Sequence, residues 1–262
     1  MKHSWLLMVL CMFVSCRSGS VHELRSMEVN GVSIVYEVRG KVDAQPIVLI
    51  HGNSGSHNDL SLMAAQLDSA GYLVYSPDCR GQGANTPLDE YHYADMAEDI
   101  VEMVHKLGIE PYVFGWSDGG NVALMAEISH PGTFKAIITS GANLHPEGIV
   151  GIDSTTIERY REENKDASPL FRMMLYEPNI TPEQLSTIRC PALIVAGEND
   201  LIREEHTRLI AASIPNGQAL ILPGEDHISH IVNNKKMGEI VISTIKRMET
   251  CQQYTIFKKR FP

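Results

Sequence analysis

The chain has 262 residues, 44% hydrophobic and 21% charged, which is enough apolar material for a sizeable core and too much for a disordered or fibrous chain. Its 22 Lys and Arg against 32 Asp and Glu leave a net charge of −10, a surface that repels phosphate backbones and argues against general nucleic-acid binding. Five cysteines with no C-x-x-C pair are too few for a disulfide scaffold or a zinc module.

The chain opens on MKHSWLLMVLCMFVSCRSGS, where Lys2 gives a positive start and Ser4 to Ser15 carry no charge. The run is too short for a stable membrane span, which needs about 20 residues. It fits the apolar region of a secretory signal over residues 1–20, to be set aside from fold reasoning. Its end, Phe13-Val14-Ser15-Cys16, resembles a bacterial lipoprotein box, with Cys16 as the lipidated first residue of the mature chain. Phe13 stands where that box usually has Leu, so plain cleavage near residues 15–20 and an intact N-terminal anchor stay open. The expected location is outside the bacterial cytoplasm, in the periplasm or held on a membrane through Cys16. Beyond the leader remain Cys79, Cys190 and Cys251, an odd number, each expected to behave as a buried small hydrophobe.

From residue 21 to 262 one domain is expected. Residues 27–30 and 32–39 flank Asn30-Gly31, the dipeptide that a type I′ hairpin turn prefers. Short apolar runs then mark strands at 47–50, 72–76, 112–115, 136–139, 192–196 and 219–222. Helical patterns occupy 57–70, 91–107, 121–129, 204–214 and 230–248. In the second of these, Met96, Ile100, Met103, Val104 and Leu107 recur on one face as a buried stripe. Such alternation predicts an α/β fold with a mostly parallel eight-stranded sheet, entered through an antiparallel hairpin and covered by helices on both faces. The stretch 143–188 breaks the pattern: it is strandless and rich in Pro and charge, with short helices predicted at 157–165 and 170–176. It is too long for an ordinary connection and reads as a short helical lid over the sheet's carboxyl edge.

The residues that could carry chemistry all follow strands. Gly115-Trp116-Ser117-Asp118-Gly119-Gly120 sits where a strand gives way to a helix, a turn that would thrust the Ser117 side chain into the open. A serine hydroxyl needs a base to react at neutral pH, and the base needs an acid to orient it. Asp200, in Gly197-Glu198-Asn199-Asp200, and His227, in Gly224-Glu225-Asp226-His227, both follow strands and belong on the same sheet edge. Glu198 is the alternative acid and His230 the alternative base. A metal site from Asp226, His227 and His230 lacks a fourth ligand and a helical H-E-x-x-H pattern, so neither metal nor other cofactor is expected. His51-Gly52-Asn53 follows the strand 47–50, where the Asn53 backbone N–H could join that of Asp118 around a developing oxyanion. Asp78-Cys79-Arg80-Gly81-Gln82-Gly83 reads as a structural turn.

Taken in order, H-G-N, D-x-R-G-x-G, G-W-S-D-G-G, G-x-x-D and G-x-x-H resemble the α/β-hydrolase superfamily over residues 27–250. The resemblance implies the α/β-hydrolase fold, Ser117 as nucleophile, Asp200 as acid, His227 as base, and Asn53 with Asp118 as the oxyanion hole. Ser rather than Asp at 117 sets the chain apart from haloalkane dehalogenases and epoxide hydrolases. The elbow is similar to that of the biphenyl-hydrolase-like branch, some of whose members cleave amino-acid esters. That likeness makes the Asp118 side chain a candidate for holding a substrate ammonium, and Trp116 a further candidate for touching substrate. Without a ligand, Asp118 would simply face the positive end of its helix. The expected activity is hydrolysis of a small carboxylic ester, thioester or lactone through an acyl-enzyme. An amidase, a peptidase or a carbon–carbon bond hydrolase would use the same three residues, and a binding protein that kept the fold would not use them at all.

Overall fold

A computed structural model describes residues 19–260 of the chain, with side chains to residue 250. The leader reading, with Cys16, lies outside the described residues, as does the Cys251 side chain. The hairpin forms where Asn30-Gly31 predicts it. Both turn residues have positive φ, 44° and 82°, a left-handed backbone that Asn and Gly reach at the least steric cost. The turn joins β1 (Ser20–Val29) to β2 (Val32–Lys41), with Val29 opposite Val32. β1 therefore starts well before the predicted residue 27. Most of its residues face solvent, so no apolar alternation marks them, and the backbone ladder with β2 holds them instead.

Six further strands follow: β3 (Pro46–Ile50), β4 (Leu73–Pro77), β5 (Tyr112–Trp116), β6 (Ile137–Ser140), β7 (Ala192–Asn199) and β8 (Gly217–Asp226). The eight strands form one sheet in the order β1-β2-β4-β3-β5-β6-β7-β8. β2 pairs antiparallel with β1 and β4, and all later pairings are parallel. Alternate strand residues feed two cores, because the pleat points successive side chains to opposite faces. Ile47, Leu49 and Phe114 pack with α1 (Ser61–Ser69) and α8 (Lys236–Arg260). Val48, Ile50 and Val113 pack with α2 (Tyr93–Leu107), α3 (Asp118–Ser129) and α7 (Glu204–Ser213). Each such fully buried side chain contributes roughly 1.5–3 kcal/mol.

In α2, Met96, Ile100, Met103 and Val104 are buried as their spacing requires, and the helix stops at Gly108, whose φ of 63° closes a left-handed cap. α8 begins six residues later than the pattern at 230–248 suggests. Asn233 takes a positive φ of 53°, and the Asn234 side chain accepts from the Lys236 N–H at 2.9 Å, so these two residues start the helix afresh. The stretch 143–188 inserts between β6 and β7 as a 3₁₀ turn (Pro146–Gly148), α4 (Ile157–Glu163), α5 (Pro169–Tyr176) and α6 (Pro182–Leu185). A single isolated bridge, Ile149 to Ile202, ties it to the turn after β7. Among the described residues no helix is long and apolar enough to cross a membrane.

Candidate active site

β5 ends at Trp116 and α3 begins at Asp118, so Ser117 alone turns the chain from strand to helix. Its φ of 54° and ψ of −118° lie where non-glycine residues rarely sit, a strain on the order of 1–3 kcal/mol. The surroundings impose it. The Ser117 N–H donates to the Ser140 carbonyl at 2.8 Å, and the Ser117 carbonyl accepts from Gly120 at 2.8 Å and Asn121 at 3.2 Å. Beneath the turn, a Cβ on Gly119 would lie 2.6 Å from the His51 carbonyl oxygen and would also meet that of Ile50. On the other side, a Cβ on Gly52 would stand 3.4 Å from the Ser117 Cβ. The loop after β3 and the turn after β5 thus meet backbone to backbone.

His227 and Asp200 complete a hydrogen-bonded chain with Ser117. His227 Nδ1 lies 2.6 Å from Asp200 Oδ1, and His227 Nε2 lies 2.9 Å from Ser117 Oγ. A carboxylate only accepts, so Nδ1 carries the proton and Nε2 of the neutral ring accepts from the serine hydroxyl. Asp200 is fixed in turn by the N–H groups of Gly197 at 3.1 Å and Ile202 at 3.0 Å. Burial pushes the Asp200 carboxyl up, but the His227 ring and those two N–H groups outweigh it and hold it below its ordinary value. The imidazole is held on two more sides. Trp116 Nε1 donates to the His227 carbonyl at 3.0 Å, and the ring lies so close to Gly141 that a Cβ there would stand 2.8 Å from Nδ1.

The alternatives go elsewhere. Glu198 accepts from the Gly224 N–H at 2.8 Å on the surface. His230 is fully buried, with Nε2 2.7 Å from Ser140 Oγ, and burial lowers its pKa against the pull of Asp200 and Glu225. Asp226 closes a turn of its own, accepting from Ile228 and Ser229 N–H at 2.8 Å each. No cluster of three metal-ligating side chains includes it or any other described residue.

The predicted oxyanion donors face each other across the two loops. Among the described residues, neither the Asn53 nor the Asp118 backbone N–H meets an acceptor. The Asp118 side chain is buried, 5% exposed, and both of its oxygens are engaged: Tyr93 Oη donates to Oδ1 at 2.6 Å, and Asn53 Nδ2 donates to Oδ2 at 2.8 Å. Burial raises its pKa, partly offset by Tyr93, Asn53 and His227. His51 supports the same loop from behind. Its Nε2 accepts from the Cys79 N–H at 2.9 Å, so its Nδ1 donates to the Gly52 carbonyl at 2.7 Å. The segment after β4 is the structural turn that the sequence suggests. Asp78 accepts from the His57 and Ala84 N–H groups at 2.6 and 2.8 Å, and Arg80 pairs with Asp99 at 2.6 Å.

Tyr93, Glu177 and Gly141 were not signalled by the sequence. Each reaches the site across distant chain: Glu177 accepts from the Tyr93 N–H at 3.0 Å and pairs with His92 at 2.6 Å. Beside Asp200, the stretch 143–188 is pinned down, since Val150 N–H donates to the Leu201 carbonyl at 2.8 Å and Arg203 N–H to that of Gly148 at 2.9 Å. Cys79 is buried and Cys190 half-buried, both as free thiols.

Comparison with known proteins fits this geometry. A family model for the alpha/beta hydrolase fold matches residues 45–168. The chain is 28% identical over 235 residues to serine hydrolase BPHL of Homo sapiens, covering 78% of this chain and 79% of that one. It is 23% identical over 257 residues to Lipase 1 of Psychrobacter immobilis, covering 81% and 80%. A thermophilic esterase from Thermogutta terrifontis superposes with a TM-score of 0.69 at 18% identity, over 88% of this chain and 98% of that one, and so shares the fold. The chain has the α/β-hydrolase fold and is similar to serine hydrolases and lipases that share it. It is a hydrolase.

Proposed function

We propose that the protein is a serine hydrolase that cleaves a small carboxylic ester, thioester or lactone through an acyl-enzyme on Ser117. The observation that carries this reading is the unbroken chain from Ser117 Oγ through His227 to Asp200, at 2.9 and 2.6 Å. In this reading Ser117 Oγ attacks the carbonyl carbon while its proton passes to His227 Nε2. Asp200 steadies the ring and the imidazolium that forms. The oxygen that gains the negative charge accepts from the Asn53 and Asp118 N–H groups at the positive end of α3, where one such donor is worth about 10²–10³ in rate. His227 then gives its proton to the leaving alcohol, and the acyl group stays on Ser117. Water, deprotonated by the same ring, releases the acid and restores the serine.

The stretch 143–188 serves as the lid, held beside Asp200 by the backbone bonds to residues 201 and 203. Ester chemistry is supported by the lipase among the relatives. The leader adds a location: we place the mature protein in the periplasm or on a membrane through lipidated Cys16. The test of the activity is a p-nitrophenyl ester series from acetyl to dodecanoyl, run on wild type and Ser117→Ala. Activity on at least one ester, lost by about 10⁴–10⁶ in the variant, is expected. A variant keeping more than a tenth of wild-type activity refutes the assignment of Ser117.

A further inference from the structure

A buried carboxylate next to the nucleophile is expensive to keep unless it does something there. Asp118 is 5% exposed, makes no salt bridge among the described residues, and spends both oxygens on neutral donors, Tyr93 Oη at 2.6 Å and Asn53 Nδ2 at 2.8 Å. The residue at the other end of the second bond matters. Asn53 lies in no helix or strand, so no backbone ladder orients it. Its amide is held at both ends instead: Nδ2 by Asp118, and Oδ1 by the Ser54 hydroxyl at 2.9 Å. Ser54, at a positive φ of 56°, is itself held by Gln82, which accepts its N–H at 2.8 Å.

We propose that the Asp118 carboxylate is a positioning residue that yokes Asn53 to the turn at Ser117, so that one residue sets both oxyanion donors: its own backbone N–H directly, and the Asn53 N–H through the side-chain bond. This rests on the serine-hydrolase reading above. Hydrogen bonds to a charged acceptor are roughly twice as strong as neutral ones, which suits a carboxylate to holding a loop without regular structure. The hydroxyl of Tyr93 fixes the carboxylate's other oxygen, and the Tyr93 N–H is in turn taken by Glu177. The yoke therefore reaches from the oxyanion loop to the stretch 143–188.

The donor pattern supplies the test. In Asp118→Asn the new amide keeps an acceptor for Tyr93 but turns an NH₂ toward the Asn53 NH₂. In Asn53→Asp two carboxylates face each other. In the double variant Asp118→Asn with Asn53→Asp, the bond re-forms with its direction reversed, and the carboxylate introduced at position 53 still accepts from Ser54. Wild type, both single variants, the exchange and Asn53→Ala are compared on a neutral p-nitrophenyl ester, with melting temperature and fluorophosphonate labelling of Ser117 as controls. Each single variant is expected to lower kcat by about 10- to 100-fold with KM changed less than threefold. The exchange should recover at least tenfold over the worse single variant. Asn53→Ala should behave like the single variants although its backbone N–H remains, which keeps the test open if either charged variant fails to fold.

A wild type that fluorophosphonate does not label at Ser117 overturns the serine-hydrolase reading and this inference together. A labelled wild type with single variants within twofold of its kcat overturns this inference alone, as does an exchange without recovery. So does an Asp118→Asn enzyme that keeps kcat on the neutral ester but loses KM on an aminoacyl ester, because Asp118 would then be a substrate contact.

Discussion

Gly119→Ala probes the contact on which the site depends. A Cβ at this position would lie 2.6 Å from the His51 carbonyl oxygen, while close carbon–oxygen contacts run at about 3.3 Å. The Ile50 carbonyl oxygen lies nearer still, so the strand end and the helix start must part by more than about 0.7 Å, and a flexible side chain cannot absorb the shift because both sides are backbone. Overpacking of this kind costs about 1–3 kcal/mol, which for a chain of this size lowers Tm by roughly 2–10 °C. The catalytic loss should be larger than the loss of stability, because the displacement separates Asn53 from Ser117, and misplacement by about 1 Å can cost 10²-fold in rate. The assay is the kcat of a p-nitrophenyl ester at a temperature where calorimetry shows the variant still folded. A variant with kcat within threefold of wild type and an unchanged Tm would refute the backbone-to-backbone contact.

Three further outcomes are expected. His227→Ala should remove esterase activity, whereas His230→Gln should keep more than a tenth of it; the opposite ranking in the same ester assay would make His230 the base. Burial, with help from His145 and Arg203, lowers His206 to about 4, against an ordinary value of about 6.5, so the unfolded chain takes the proton first on acidification. Stability should then rise with pH between about 4 and 6.5, by up to about 3 kcal/mol, and urea titrations of His206→Gln should show a flatter profile; parallel profiles would remove His206 from that account. Palmitate labelling of producing cells should mark wild type but not Cys16→Ser, and full-length protein left unprocessed in the cytoplasm would end the leader reading.

The site was legible wherever chemistry follows a strand. Ser117, Asp200 and His227 each stand just past an apolar run, and the parallel sheet aligns those ends on one edge, so short motifs were enough to bring them together. The preference for His227 over His230 rested on the G-x-x-H resemblance, because a spacing of three residues does not itself reveal that one ring turns to Ser117 and the other to Ser140. Nor were Tyr93 and Glu177, which meet across 84 residues through packing of the inserted stretch. At the N-terminal edge, β1 escaped because a strand with most of its residues in solvent carries no alternation to read. The start of α8 was hidden by two asparagines whose cap depends on backbone angles rather than on hydropathy.

Ser117 and His227 meet across 110 residues of chain, and Asp200 and His227 across 27. Closing loops of that length is slow and must precede the contacts that reward it, whereas the helices that flank the sheet form from neighbours. During refolding from denaturant, helical signal should therefore return before Ser117 becomes reactive. A fragment ending before β8 would contain the serine in its turn without any base to activate it. The reactivity of one hydroxyl thus becomes a clock for the docking of β8, and gives that folding event a chemical readout.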